Sequence, residues 1–311
     1  MNPIICIAGP TASGKTALAV ELALALDGEV VSCDSMQVYK RMDIGTAKPT
    51  PEERRGIPHH MIDVAEPWED YSVSRYCAQA APIVEDIVAR GKTAIIAGGT
   101  GLYLDSLIRG NDFAPFPSTG VREQLEAQAD REGIAVLFAQ LQQIDPAAAA
   151  RLPLSDRKRI VRALEVYLET GETITAHNLR TQQQPPRFAP VWLGLDFESR
   201  ADLYSRIDAR VGQMLEAGLL EEIRSLLAAG IPEKCTAMQA IGYKEFTAAL
   251  EGRCTIDQAA DLVRQSSRRY AKRQLTWFRR NREIHWLMRR PGQTDAEILA
   301  QARQLLQEND R

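Results

Sequence analysis

A glycine-rich stretch near the start of the chain constrains the fold more than any other feature. It comprises Gly9, Pro10, Thr11, Ala12, Ser13, Gly14, Lys15 and Thr16, and it matches the pattern G-x-x-x-x-G-K-[ST]. An apolar run, 4–8, precedes it, and apolar residues at helical spacing follow it from Leu18 to Leu26. This order predicts a strand, a phosphate-binding loop (the P-loop) and a helix, which is the setting that the motif requires.

The residue types of the predicted P-loop suit a phosphate ligand. Glycines let successive backbone N–H groups point inward at an anion, and the N-terminus of the following helix adds partial positive charge. Lys15 adds a full positive charge, and the Thr16 hydroxyl is suited to hold a magnesium ion. We therefore expect a site for a di- or triphosphate rather than a plain glycine turn, although the motif does not determine which bond is broken.

The composition is that of a soluble globular protein. Of the 311 residues, 45% are hydrophobic and 25% are charged, and no apolar run approaches the ~18 residues of a membrane span. Strand-forming residues begin almost at Met1, which leaves no room for a signal peptide. The five cysteines are scattered without a C-x-x-C pair, so we expect reduced thiols. These features predict a cytoplasmic protein with no membrane partner.

Strand and helix patterns alternate through the first part of the chain. After the P-loop, buried strands are predicted at 29–33, 60–64 and 93–97. A helix is predicted from Ser72 to Arg90, between the last two strands. Such alternation is typical of an α/β fold with a doubly wound parallel sheet, here of the P-loop NTPase-like class.

The pattern changes between residues 113 and 190, where the sequence predicts a mostly helical insertion. Pro115 and Pro117 mark its start. Helical periodicity then runs over 121–131, 134–144 and 157–169. A strand pattern returns at 191–196, and the remainder of the chain is predicted to be largely helical. We therefore predict a P-loop core in two parts, 1–112 and 191–311, interrupted by an insertion domain at 113–190.

Two further strand ends carry polar residues. Asp34 follows the strand predicted at 29–33, and a Gly-Gly-Thr-Gly turn that contains Thr100 follows the strand at 93–97. Because the carboxyl ends of parallel strands meet at one edge of a sheet, both should lie on the rim that holds the P-loop. Asp34 could hold the hydration shell of magnesium, act as a general base, or simply begin a turn. Thr100 could contact a phosphate oxygen or the leaving group, or belong to a tight turn.

Two segments concentrate positive charge. In the helix predicted from residue 157, basic residues form one face and Ile160, Leu164, Tyr167 and Leu168 form the other. Between Arg264 and Arg290, ten basic residues face a single acid, a net +9 in a chain whose total is −3, with four aromatic residues among them. Such concentration is typical of a nucleic-acid partner. A solvated face, or a basic helix that packs its aromatic residues inward, is the alternative.

Taken together, the motifs resemble those of the bacterial tRNA dimethylallyltransferases, also called tRNA isopentenyl-diphosphate transferases. Besides the P-loop, the resemblance is carried in order by DSMQVY (34–39), MDIGTAKP (42–49), PHHMID (58–63), GGTGLY (98–103), DRKR (156–159) and QAIGYK (239–244). These motifs extend over nearly the whole chain, and the ordered set is far more specific than a P-loop alone. Eukaryotic relatives carry a C-terminal zinc finger, and no Cys/His set for one follows Cys254.

The resemblance implies transfer of a dimethylallyl group from dimethylallyl diphosphate to the exocyclic N6 amine of an adenosine. That adenosine lies just 3′ of the anticodon (position 37) in tRNAs that read codons starting with U. The P-loop would hold the leaving diphosphate, which Lys15 and Mg2+ on Thr16 would stabilise. Asp34 would take the proton of the amine, and Thr100 would assist the bridging oxygen or the amine. The base must leave the stack to reach this rim, where Gln37 and its neighbours would read its edge.

The same resemblance implies contacts with the tRNA anticodon stem-loop, which the insertion would clasp. The residues concerned are Asp34, Ser35, Met36, Gln37, Thr100, Arg122, Lys158, Arg159, Ile160, Val161, Arg162, Gln239, Ala240, Ile241, Gly242, Tyr243 and Lys244. We expect the protein to be a monomer.

Two other classes of protein share part of this pattern. In a P-loop small-molecule kinase, Asp34 would activate a hydroxyl, and magnesium on Thr16 would bridge two phosphates of ATP. That hypothesis leaves the basic segment 264–290 without a role. A non-catalytic GTPase-like switch that binds RNA would need a base-reading Asn/Thr-Lys-x-Asp run, which the sequence lacks. Neither class accounts for as many of the motifs.

Overall fold

The computed structural model describes residues 4–111 and 119–309. The chain divides into two compact units: the first runs to Ile108 and resumes at Phe188, and the second is Arg109–Arg187. The insertion that the sequence places at 113–190 corresponds to this second unit, whereas its predicted start, with Pro115 and Pro117, lies outside the described residues. No helix in the described ranges is long and apolar enough to cross a membrane.

A parallel β-sheet forms the centre of the first unit. Over the described residues its six strands are β1 (Ile4–Ala8), β2 (Gly28–Ser32), β3 (His59–His60), β4 (Thr93–Gly98), β5 (Val191–Phe197) and β6 (His285–Arg289). They are arranged in the order β3-β2-β4-β1-β5-β6, and every neighbouring pair is parallel. The predicted doubly wound parallel α/β sheet is therefore confirmed.

Helices make up most of the remaining described chain. They are α1 (Lys15–Ala25), α2 (Pro51–Arg54), α3 (Val73–Ala89), α4 (Gly101–Arg109), α5 (Val121–Glu132), α6 (Ile134–Ile144), α7 (Pro146–Ala149), α8 (Arg157–Thr170), α9 (Ile174–Gln183), α10 (Arg200–Glu216), α11 (Leu219–Ala228), α12 (Tyr243–Leu250), α13 (Ile256–Phe278) and α14 (Asp295–Asn309). Hydroxyl caps fix several starts; the Ser72 hydroxyl, for example, accepts the N–H of Arg75 at the start of α3. The helix predicted from Ser72 is confirmed.

The alternation of side chains along β1 explains why helices cover both faces of the sheet. Ile5 and Ile7 are buried in the cluster that contains apolar residues of α1 and α14. Cys6 and Ala8 are buried in the cluster that contains residues of α3, α4 and α13. A strand that is apolar on both faces must lie inside a layered α/β core, which is where the P-loop begins.

Two predictions for strands differ from the structure. The strand predicted at 60–64 is limited to β3, because Met61 and Asp63 have positive φ angles of 63° and 58° and turn the chain out of the sheet. Strand β6 was not predicted, because it lies inside the arginine-rich segment that the sequence presents as helical. Its buried positions are Leu287 and Arg289, and the Arg289 guanidinium pairs with Asp295 at the start of α14. The predicted helical remainder is thus interrupted by the last strand of the sheet.

The second unit is a helical bundle with its own core. Its central residues include Leu137 and Leu141 of α6 and Ile160 and Leu164 of α8. The helices predicted at 121–131, 134–144 and 157–169 are observed as α5, α6 and α8. Leu168, which the sequence places on the same face as Ile160 and Leu164, is 54% exposed, since the buried positions of α8 end at Val166.

Candidate active site

The P-loop connects β1 to α1 in a conformation that favours anion binding. Helix α1 begins at Lys15, and its N-cap, Gly14, has a φ of 93° and supplies no side-chain cap. The helix N-terminus therefore keeps backbone N–H groups available for a ligand. At Gly9, a Cβ atom would lie 2.6 Å from the Leu195 carbonyl oxygen, so only glycine fits where the loop leaves the strand. The Lys15 ammonium folds back and donates to the Pro10 carbonyl at 2.7 Å.

Asp34 and Thr100 lie on neighbouring loops at the same edge of the sheet as the P-loop. These loops follow β2 and β4, and β4 in turn lies beside β1. The Ser35 N–H donates to Thr100 Oγ1 at 3.0 Å, and the Thr100 N–H donates to the Cys33 carbonyl at 3.3 Å. One Asp34 oxygen accepts the N–H of Met36 at 2.9 Å. The structure thus brings together the carboxylate, the threonine and the P-loop on one rim.

Gln274 of α13 joins two of these loops. Its side-chain oxygen accepts the N–H of Thr11 at 2.9 Å, and its Nε2 donates to the Gly99 carbonyl at 2.9 Å. A Cβ atom at Gly99 would lie 2.2 Å from that nitrogen, so the glycine is needed for the approach of Gln274. Gln274 is buried. It therefore holds the P-loop at a fixed distance from the turn that carries Thr100.

Two arginines of α10 face the P-loop as well. Arg206 Nε donates to the Ala12 carbonyl at 3.1 Å. Arg210 is half-buried and forms no ion pair within the described part of the chain, although the charges of Asp34 and Glu53 act on it. Burial lowers the pKa of its guanidinium from the ordinary value. A half-buried arginine without an ion pair fits an anionic ligand, because such a ligand would compensate its charge.

The positive charges of the site also act on one another. Burial lowers the pKa of Lys15 to about 7; Asp34 opposes this shift, and Arg210 adds to it. The Ser13 hydroxyl is buried and has no hydrogen-bond partner among the described residues. The loop therefore holds a titrating ammonium, an unpartnered hydroxyl and free backbone donors, which together suit a phosphate group.

Aromatic residues of α13 border the rim beside Asp34. Tyr270 lies next to Thr100 and Gln274, and burial, together with the charge of Asp34, raises its pKa to about 12. Trp277 donates its indole N–H to Asp105 at 2.8 Å, and a Cβ atom at Gly101 would lie 2.3 Å from the indole ring. These contacts place α13 directly over the Gly-Gly-Thr-Gly turn.

Several of the predicted tRNA-contacting residues have internal partners. The Gln37 amide is fully used: its oxygen accepts the Ser32 hydroxyl at 2.8 Å, and its nitrogen donates to the carbonyls of Thr46 and Ala47. It therefore supports the loop after β2, and reading a base edge would require these bonds to break. Met36 is half-buried, and the Ser35 N–H donates to the Thr100 hydroxyl.

The segment 239–244 is only partly accessible. Ala240 and Tyr243 are buried, and Ile241 packs against the core of the first unit. Gln239 and Lys244 are exposed. Direct side-chain contacts with a partner are therefore confined to the two ends of the segment, and the backbone around Gly242 lies between them.

In the second unit, the predicted contacts divide between surface and core. Lys158 and Arg159 are exposed on α8. Arg122 and Arg162 both pair with Glu165, each with one distance of 2.8 Å. Ile160 and Val161, which belong to the predicted tRNA-contacting segment 158–162, have side chains buried in the core of the unit.

The arginine-rich segment is less uniformly available than its sequence indicates. Five of its arginines are paired with carboxylates: Arg264, Arg268, Arg279, Arg289 and Arg290. The exposed cations without an ion pair to described residues include Arg269 and Arg273 on α13 and Arg280 in the turn just after it. Arg273 lies over the ring of Tyr270, and Arg280 over that of Trp277. Arg269, Arg273 and Arg280 thus form a positive stripe beside the aromatic residues of this segment.

The fold and the rim define a P-loop protein that carries a carboxylate on the same edge of the sheet as the P-loop. Comparison with known families gives a match to the IPP transferase family over residues 37–281 and to the isopentenyl transferase family over residues 2–70. The chain belongs to the IPP transferase family. It is 49% identical to a tRNA dimethylallyltransferase of Carboxydothermus hydrogenoformans over 91% of each chain.

Solved structures show the same resemblance in three dimensions. A tRNA isopentenylpyrophosphate transferase from Bacillus halodurans is 40% identical and superposes with a TM-score of 0.73, covering 98% of this chain and 96% of that one. A eukaryotic dimethylallyltransferase acting on tRNA is 30% identical and superposes with a TM-score of 0.77, covering 93% of this chain and 74% of that one.

Proposed function

We propose that this protein transfers a dimethylallyl group from dimethylallyl diphosphate to N6 of the adenosine just 3′ of the tRNA anticodon. The observation that carries the proposal is the placement of a P-loop, with Lys15 and Arg210, on the same rim as the Asp34 carboxylate. Family membership and the names of the relatives support the same reaction. A kinase with this core would leave the positive stripe of Arg269, Arg273 and Arg280 without a ligand.

The donor side of the site would bind the diphosphate. The backbone N–H groups of the P-loop and of the α1 N-terminus would donate to its oxygens, and the Ser13 hydroxyl would gain a partner. Lys15 and Arg210 would compensate the negative charge, which increases on the diphosphate as the carbon–oxygen bond breaks. Lys15 already lies within the loop before the ligand binds, since its ammonium donates to the Pro10 carbonyl.

Mg2+ fits the oxygen ligands on this rim. The Thr16 hydroxyl is exposed at the start of α1, and Asp34 is near enough to influence Lys15. The described residues contain no group of three or more His, Cys, Asp or Glu side chains that could hold a metal, so the remaining ligands would come from the diphosphate and water. When bound, magnesium would act as a Lewis acid that neutralises charge on the leaving diphosphate.

The acceptor side would bind the adenine outside the base stack. The N6 nitrogen would attack the allylic carbon, the bond from that carbon to the diphosphate oxygen would break, and the N6 proton would pass to Asp34. Thr100, which is fixed by Ser35, would contact the amine or the bridging oxygen. Tyr270 would border the base, since it lies beside Thr100.

The tRNA backbone would contact the exposed cations. On the first unit these are Arg269, Arg273 and Arg280, together with Lys244. On the second unit Lys158 and Arg159 are the exposed cations of α8. We further propose that the acceptors are tRNAs that read codons starting with U. We place the protein in the cytoplasm because its substrates are found there, and we propose that it acts as a monomer.

The reaction is tested with labelled dimethylallyl diphosphate, magnesium and unmodified tRNA. We expect label to transfer to the tRNA and diphosphate to be released. ATP in place of the donor should not be consumed, with tRNA or without it. Consumption of ATP with no transfer of label would contradict the proposal and favour the kinase alternative.

A further inference from the structure

Glu222, in the first turn of α11, binds a loop that belongs to the acceptor side of the site. One of its carboxylate oxygens accepts the N–H groups of Asp43 at 2.7 Å and Ile44 at 2.8 Å. The other accepts the N–H of Gly45 at 3.2 Å. Three successive backbone N–H groups thus converge on one carboxylate. This carboxylate occupies the position that a bound anion takes in a backbone nest.

The same carboxylate reaches the segment 239–244. The Tyr243 hydroxyl donates to Glu222 Oε1 at 2.6 Å, and the Tyr243 side chain is fully buried. A Cβ atom at Gly45 would lie 2.5 Å from the Tyr243 ring, so the loop can approach the ring only because residue 45 is glycine. Glu222 therefore links the loop 43–45 to the start of α12.

The loop that Glu222 holds also supports the residues that follow Asp34. Gln37 donates to the carbonyls of Thr46 and Ala47, directly after the residues bound by Glu222. The Gln37 oxygen in turn accepts the hydroxyl of Ser32, two residues before Asp34. Glu222 makes no described hydrogen bond to the P-loop. Its network reaches the acceptor side but not the diphosphate side.

We propose that Glu222 is a positioning residue for the tRNA acceptor. It fixes the tRNA-facing segment 239–244, through Tyr243, relative to the loop that holds Gln37 and the turn with Asp34. This inference rests on the proposed function, because it assumes that Asp34 and the ends of segment 239–244 face the tRNA. It predicts that loss of Glu222 weakens use of the tRNA and slows transfer, while the affinity for the donor stays unchanged.

Three variants test the proposal. Glu222→Ala removes every contact of the carboxylate. Glu222→Gln keeps an oxygen for the N–H groups of Asp43 and Ile44 and an NH2 group that can donate to the Tyr243 hydroxyl. It loses only the longer contact with the Gly45 N–H, so it should keep most of the wild-type behaviour. Glu221→Ala is the matched control, since that neighbouring side chain is 70% exposed and, among the described residues, pairs only with Arg224.

The readouts are kcat and KM for tRNA, together with the Kd of dimethylallyl diphosphate measured by calorimetry. For Glu222→Ala we expect KM for tRNA to rise about tenfold and kcat to fall several-fold, with the donor Kd within about twofold of wild type. Glu222→Gln should recover most of both parameters, and Glu221→Ala should change neither. A parallel loss of donor affinity, or equal effects of the alanine and glutamine variants, would overturn the proposal.

Two controls keep the result interpretable. If Glu222→Ala does not fold, Tyr243→Phe removes only the hydroxyl contact and should raise KM for tRNA about threefold without a change in donor Kd; an unchanged KM would overturn the proposal. Wild-type protein is assayed alongside. Absence of prenyl transfer by wild type contradicts the proposed function, whereas wild-type activity with an unaffected Glu222→Ala variant contradicts only the role of Glu222.

Discussion

Gln274 accepts a hydrogen bond from the backbone N–H of Thr11 at 2.9 Å, although the two residues are 263 positions apart in the sequence. The same side chain donates to Gly99, so one amide spans the P-loop and the turn that carries Thr100. Helix α13 thereby fixes the spacing between the diphosphate side and the acceptor side of the site. This spacing matters because displacement reactions are sensitive to small errors in the distance between the reacting groups.

Replacement of Gln274 by alanine should therefore slow the reaction. The change removes both bonds and leaves the Thr11 N–H without its partner, so we expect kcat to fall by about one to two orders of magnitude with a weaker donor affinity. Thr276→Ala is the matched control, because Thr276 is exposed and its hydroxyl bonds, within the described part of the chain, only to the Lys272 carbonyl of its own helix. Steady-state kinetics of both variants check the prediction, and equal rates for the two would contradict it.

Asp34→Asn should abolish most of the activity without affecting tRNA binding. The amide oxygen can still accept the Met36 N–H, so the turn keeps its shape, but the side chain no longer takes a proton. We expect kcat to fall by about 10²- to 10⁴-fold and the Kd of tRNA to change by less than about twofold. Single-turnover kinetics and a filter-binding assay measure the two quantities. A variant with wild-type kcat would exclude Asp34 as the base.

The pKa of Lys15 predicts proton uptake when diphosphate binds. With a pKa of about 7, Lys15 is charged below that pH and neutral above it in the free protein. Because the anion binds the charged form, affinity should be level below pH ~7 and fall by up to about tenfold per pH unit above it.

Calorimetry of diphosphate binding at about pH 8, in buffers of different ionisation enthalpy, measures this uptake. We expect close to one proton per diphosphate. Lys15→Arg is the control, because a guanidinium stays charged and should show no uptake. Wild-type binding without proton uptake would contradict the pKa of Lys15 in this site.

Exposed cations should set the salt dependence of tRNA binding. Arg159 and Arg273 are exposed, and Arg273 forms no ion pair with a described residue, so Arg159→Ala and Arg273→Ala should each reduce the slope of log K against log salt by about one. Arg157→Ala is the control on the same helix as Arg159, since Arg157 is held by Glu126 and Asp130. Arg162→Ala should have a smaller effect, because Arg162 shares Glu165 with Arg122. An unchanged slope for Arg159→Ala would show that this face of α8 contacts solvent and not the tRNA.

Glu29 lies at the start of β2, at the end of the strands opposite the P-loop, and should contribute stability that is lost in acid. A two-bond contact with Arg90, helped by a smaller effect of His60, lowers its pKa to about 2 against the opposing effect of burial. A lowered carboxyl pKa stabilises the fold above the ordinary value of 4.5, and this stability is lost as the pH falls toward 2.

Glu29→Gln should cost about 2 kcal/mol at neutral pH, allowing for the solvent screening of Arg90. The difference from wild type should disappear at about pH 2. Asp86→Asn, which removes an exposed partner of the same arginine, should cost less than about 0.5 kcal/mol. Urea unfolding across this pH range measures both, and equal losses would contradict the role of Glu29.

The residues of the rim could be predicted from the sequence because each of them belongs to a short local motif. The P-loop, Asp34 and Thr100 each follow a short apolar strand, and parallel strands place such residues at one edge. Arg210 and Gln274 could not be found in this way, because α10 and α13 reach the P-loop only through tertiary packing. The i, i+4 spacing of Arg206 and Arg210 was the available signal, since it places both on one face of a helix.

The differences between the sequence patterns and the structure have equally local causes. Ile160 and Val161 lie between basic residues of a matching motif, but helical periodicity turns their side chains into the core of the second unit. The arginine-rich segment was predicted as one basic helical surface, whereas β6 and the carboxylates of α10 and α14 divide it. A count of charges does not show which of them already have partners in the folded chain.

The most direct test of the central claim is to locate the transferred group. After incubation with dimethylallyl diphosphate and magnesium, tRNA is digested, and the mass of each fragment and nucleoside is measured. We expect a dimethylallyl group on N6 of the adenosine just 3′ of the anticodon, and none on a tRNA that carries inosine at that position. Modification at another nucleotide, or transfer that persists with inosine, would contradict the claim.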